Sequence, residues 1–72
     1  MSGLMGTKQQ QLIHLNLHWG SRYDFTAPQD AGGVWTARAN FGEHDELTED
    51  TATDLLLAVR RHYEDNRPEI TY

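Results

Sequence analysis

Apolar positions recur along this chain with two different periods, and the change from one to the other marks out its elements. From Arg22 to Phe41 the period is two. Tyr23 and Phe25 alternate with Arg22, Asp24 and Thr26, while Trp35, Ala37, Ala39 and Phe41 alternate with Val34, Thr36, Arg38 and Asn40. Alternation of this kind sorts side chains onto the two faces of a strand, so residues 22–26 and 34–41 are predicted strands. Between them Pro28, Asp30, Gly32 and Gly33 supply the conformations of a turn, and so short a connection makes the strands antiparallel. Past Gly42, Leu47 with Thr48 predicts a short third strand.

From Thr51 onward the period becomes helical. At 100° per residue Ala52, Leu55, Leu56, Val59 and Tyr63 share one arc, and Asp54, Arg60, Arg61 and Glu64 lie outside it. Thr51 followed three residues later by Asp54 approximates a capping box, and Glu49, Asp50 and Asp54 put negative charge where the helix dipole favours it. Arg67 precedes Pro68 and therefore avoids the helical region, which ends the element. Leu57 falls off the arc, as an exposed side chain, a neighbour of the first element or part of a contact.

The segment QLIHLNLHW fits both periods. Ile13, Leu15, Leu17 and Trp19 alternate with His14, Asn16 and His18 as in a half-buried strand. Leu12, Leu15 and Trp19 also stand at helical spacing, and residues 8–11 are good helix formers. A helix here would carry Ile13 and Leu17 to a second side. Gly20 ends either element through its tolerance of positive φ. Residues 1–7 read as a flexible lead-in, 8–68 as one domain and 69–72 as a tail.

Joining the two apolar faces predicts a core of Tyr23, Phe25, Trp35, Leu47, Leu55, Leu56, Val59 and Tyr63. The expected fold class is α+β: a three-stranded antiparallel meander packed on one face by a C-terminal helix, with an N-terminal helix, or a strand as the alternative for residues 10–19. The other sheet face would show Arg22, Asp24, Thr36, Arg38 and Asn40, an array suited to cross-strand charge pairing or, less readily, to a ligand.

Composition narrows the function classes. Seventy-two residues without cysteine make one domain with a thin core and neither disulfides nor thiolate metal sites. Six Lys and Arg against 11 Asp and Glu give a net charge of −5, which repels a phosphate backbone and disfavours nucleic acid as a partner. No apolar run approaches the ~20 residues of a membrane span, and MSGLMGT lacks the basic and apolar regions of a signal peptide. A cytoplasmic location with no membrane association is the expectation.

Few residues suggest chemistry. His14 and His18, four apart, share one side of a helix as in H-E-x-x-H, but the central Glu is missing and a third ligand would have to come from His44, His62 or a carboxylate. Two solvated histidines are the favoured reading, with no metal or other cofactor expected. Glu43, Asp45, Glu46, Glu49, Asp50 and Asp54 lack the register of a calcium loop. They suit a solvated rim that caps the helix, or a patch for a basic protein. Ser2 and Ser21 stand in no nucleophile elbow, and Gly32 and Gly33 lie between strands, so no enzyme is expected.

Leu12, Leu15, Trp19-Gly20, Tyr23, residues 34–38, Leu47-Thr48, Thr51, Leu55-Leu56, Val59-Arg60 and Tyr63 together resemble a group of small uncharacterised actinobacterial proteins. That resemblance implies a shared fold in the order α-β-β-β-α, with a helical first segment over residues 8–19. Residues 33–37 followed by 51–56 resemble the HicB-like antitoxin fold, which implies an inhibitor of a basic toxin. The turn before the last helix lacks that fold's glycine-rich, proline-bearing stretch, and there is no appended DNA-binding segment. The element order is also similar to that of double-stranded RNA-binding domains, but acids replace the lysine cluster of their last helix. The expected function is a non-catalytic interaction or regulatory module, monomeric or homodimeric, that contacts a protein through Glu43, Asp45, Glu46, Glu49, Asp50, Leu57, Arg22 and Arg38. An antitoxin-like inhibitor, or a metal-binding protein using His14 and His18, is the alternative.

Overall fold

In the computed structural model the described residues are 5–42 and 45–66. Glu43, His44, the Arg67-Pro68 stop and the 69–72 tail lie outside them. The elements run α1 (Lys8–Trp19), β1 (Tyr23–Thr26), β2 (Trp35–Ala39), β3 (Glu46–Glu49) and α2 (Ala52–Asn66). The fold is therefore α+β, in the α-β-β-β-α order.

The first segment is a helix because both its start and its buried side favour one. Thr7 closes a full capping box: its hydroxyl accepts from the Gln10 N–H at 3.2 Å, and the Gln10 side-chain oxygen accepts from the Thr7 N–H at 2.8 Å. Thr7 thus belongs to the helix start and not to a featureless lead-in. The Lys8 ammonium donates to the Pro28 carbonyl, tying α1 to the β1–β2 connection. Leu15 is fully buried and Leu12 and Trp19 pack at the core's edge, whereas Ile13 and Leu17 are 60% and 76% exposed. The helical spacing decides burial, and the alternation is incidental.

Gly20 corrects the expectation of a positive φ. It is right-handed (φ −65°, ψ −19°), and its N–H donates to the Asn16 carbonyl at 2.9 Å. Glycine is needed for closeness, since a Cβ there would run into the same carbonyl oxygen. The left-handed conformation occurs instead at Gly42 (φ 61°), where the chain leaves β2.

The sheet order is β1-β2-β3, antiparallel throughout. Tyr23 faces Ala39 and Phe25 faces Ala37 across β1 and β2, while Ala37 faces Leu47 across β2 and β3. Trp35, Ala37 and Ala39 are all buried, on the face that both helices cover. Helix α2 starts where the cap predicts, with the Thr51 hydroxyl accepting from the Asp54 N–H at 3.1 Å. It buries Ala52, Leu55 and Val59 against the sheet.

The core differs in part from the predicted set. Tyr23, Trp35, Leu55 and Val59 are buried as expected, but Phe25, Leu47, Leu56 and Tyr63 are only partly covered. Leu15, Ala37, Ala39 and Ala52 complete the interior. Small side chains let the helices approach the sheet, and the larger rings then close the periphery. Trp19 meets Tyr63 edge-on at 5.4 Å between ring centroids, which places it within this packing.

On the opposite sheet face Asp24 stands across from Arg38, and Arg38 from Glu46. The register thus sets unlike charges opposite one another, but none of these pairs comes within ion-pair distance. Arg22 does not join it. Its guanidinium lies 5.1 Å from the Tyr63 ring centroid, on the side of α2. Among the described residues no helix is long and apolar enough to cross a membrane.

Leu15→Ala should cost about 2–5 kcal/mol of unfolding free energy by urea denaturation. Leu17→Ala, removing a mostly exposed side chain, should stay within about 0.5 kcal/mol. Equal losses would contradict the helical assignment of burial in α1.

Candidate functional site

Two features of α2 are candidates for function, and His62 takes part in both. The first is a groove between α2 and β3 with a volume of about 720 Å³. Leu47, Leu57 and Ala58 give it an apolar floor, and Glu49, Asp54 and Asp65 give it an acidic border, with Arg61 as its one guanidinium. Leu57 is 47% exposed because it falls off the arc that packs on the sheet. Leu47 is half-buried because β3 is an edge strand.

The predicted acidic patch is thereby divided. Glu49 borders the groove, Glu46 opposes Arg38 across β2 and β3, and Asp45 turns to His62. Asp50 is exposed just before the Thr51 cap. Glu43 lies outside the described residues. Of the expected contact residues, the structure brings Glu49 and Leu57 together, whereas Arg22 and Arg38 stand elsewhere.

The second feature is a chain of polar contacts through His62. The Tyr23 hydroxyl is 2.7 Å from His62 Nδ1, and His62 Nε2 is 3.1 Å from Asp45 Oδ2. With the neutral imidazole protonated at Nε2, the hydroxyl donates to Nδ1 and Nε2–H donates to the carboxylate. From the sequence His62 is only a candidate third metal ligand beside His14 and His18. Its position was legible all the same, because residue 62 stands seven beyond Leu55 and so returns to the same helical face.

An Asp-His-hydroxyl order invites comparison with nucleophilic triads, but the environment of the hydroxyl is wrong for that chemistry. Tyr23 is fully buried. Burial first, then the nearby Tyr63 and Asp45, push its phenol up to about 12 against the opposing pull of Arg22. The group stays protonated and out of reach of a substrate. His62 instead satisfies the polar end of the largest fully buried side chain, and Phe41 closes the site with its ring 5.5 Å from Tyr23 and 5.9 Å from His62.

His14 and His18 form a tilted ring pair on the exposed side of α1, with centroids 4.7 Å apart. Among the described residues, no three His, Asp or Glu side chains are grouped to hold a metal ion. No family model, curated protein or solved structure matches the chain.

His62→Ala leaves a buried hydroxyl without its partner and should cost about 1–3 kcal/mol. Asp45→Asn, at a half-exposed carboxylate, should cost less than about 1 kcal/mol. Comparable losses in denaturant titrations would refute the bracing role of His62.

The raised Tyr23 pKa has a definite alkaline consequence. Folding favours the protonated phenol, so this stabilisation is complete below the ordinary value of 10.0 and is lost as pH rises towards about 12. Unfolding midpoints should fall across that window in the wild type and fall less in Tyr23→Phe. Parallel slopes in the two proteins would count against it.

Proposed function

We propose that this chain is a non-catalytic protein-interaction module, with the α2–β3 groove as its recognition surface and a basic segment of another protein as its partner. The observation that carries this reading is Leu57, a large apolar side chain held open beside Leu47 in a concave, acid-bordered setting. An apolar floor supplies area to be removed from water, and the surrounding carboxylates select the sign of the partner's charge and speed its arrival. The net charge of −5 reinforces that preference at long range. A basic toxin, held by an antitoxin-like inhibitor, is one partner of this class.

The reading is also supported by the role given to His62. His62 and Asn66 also line the groove, but the imidazole is engaged by Tyr23 and Asp45, which leaves carboxylates, one arginine, one amide and apolar carbons for contact, a set suited to binding.

The immobilised protein should retain basic proteins from a lysate in a salt-sensitive manner, because exposed charges are screened beyond ~8 Å at physiological ionic strength. The double variant Glu49→Lys with Asp65→Lys should release them, and Leu57→Ser should weaken retention at every salt concentration. Identical retained proteins for wild type and double variant would overturn the proposal.

A further inference from the structure

We infer that the partner segment binds as a fourth strand on the free edge of β3, an inference that rests on the groove reading and names its mode of recognition. The ladder shows which backbone groups are available. In an antiparallel pair, residues that exchange hydrogen bonds alternate with residues that do not. The Ala39 N–H donates to the Asp45 carbonyl at 2.8 Å, so by the register the residues of this strand bonded to β2 are Asp45, Leu47 and Glu49. The N–H and C=O groups of Glu46 and Thr48 therefore point away from the sheet, along an edge that no other strand among the described residues occupies.

The same alternation specifies the occupant. Side chains of an added strand that stand opposite Leu47 and Glu49 share their face and reach over the groove to Leu57 and Ala58. Those opposite Glu46 and Thr48 lie on the outer face beside the Glu46 carboxylate. The fitting partner is thus an extended segment that is apolar opposite Leu47 and carries Lys or Arg opposite Glu49, beside the groove's carboxylates, and opposite Glu46. A second copy of this chain fits poorly, since pairing two β3 edges brings glutamates from both copies together, the usual means of keeping such edges apart. Strand addition of this kind takes affinity from main-chain hydrogen bonds and specificity from alternate side chains.

A short peptide with valine set to face Leu47 and lysines set to face Glu49 and Glu46 is the probe, and residue-resolved amide-hydrogen exchange is the readout. At saturating peptide the Glu46 and Thr48 amides should exchange at least about tenfold more slowly, while Leu47 and Glu49, already bonded to β2, change little. Thr48→Pro removes an edge donor without touching the β2 ladder, and should weaken binding about tenfold. N-methylation of alternate peptide amides, which leaves the protein intact, should do the same. Bound peptide with unchanged exchange at Glu46 and Thr48, or no binding at all, overturns strand addition. The groove reading itself survives either result as long as lysate retention still depends on Glu49 and Asp65. Slow exchange at both amides before peptide is added would also overturn the inference. Light scattering would then assign the edge to a second copy at dimer mass, or to residues 67–72 at monomer mass.

Discussion

The packing of α2 on β2 and β3, with α1 laid beside it on β1, is the constraint on which the rest of the structure depends. Ala37 and Ala39 are buried at the middle of the sheet, and Leu15 from α1 and Leu55 and Val59 from α2 are buried with them. In a chain without cysteine, this helix-on-sheet layer holds the buried cluster with no disulfide to reinforce it. Trp35 and Tyr23 then fill the ends of the layer. Each small residue at the centre requires a large one at the margin, which explains why Phe25, Phe41, Leu56 and Tyr63 encircle the core without entering it.

Burying Tyr23 in so thin an interior creates a second requirement. Its hydroxyl needs a partner, because an unmet polar group in the core costs more than a typical hydrogen bond contributes. His62 fills that need from α2 and passes the contact on to Asp45, linking the start of β1, the entry to β3 and the last turns of α2. Asn66 adds a bond from its side chain to the His62 carbonyl, which steadies the same turn. The one histidine in a polar network is therefore explained by packing. Towards the edge strand α2 presents Leu57, Asp54 and Asp65, in the groove that His62 also lines and that is proposed for recognition.

Edge strands carry a risk of uncontrolled pairing, and acidic side chains limit it by repulsion between copies. On β3, Glu46 and Glu49 are the side chains of that type, and in the proposed strand addition the same carboxylates would attract a segment of opposite charge. The charges of the α1 side contribute little to this division, since no acid precedes Asp24 in the sequence.

The period of apolar residues determined the elements by itself: β1, β2, β3 and α2 lie where alternation and helical spacing put them, and the Thr51 cap is where residue type placed it. Those features are local, set by dihedral preference and by which face meets water. QLIHLNLHW was ambiguous because both periods fit it, and the capping box at Thr7 with the cover over Leu15 resolved it as helix. Only tertiary packing decided that Arg22 lies over Tyr63, that His62 braces Tyr23, and that the acids divide among groove, outer sheet face and core edge. Such relations join residues up to 41 positions apart across three elements. Distances of that kind depend on how helix and sheet surfaces meet, which no local pattern encodes.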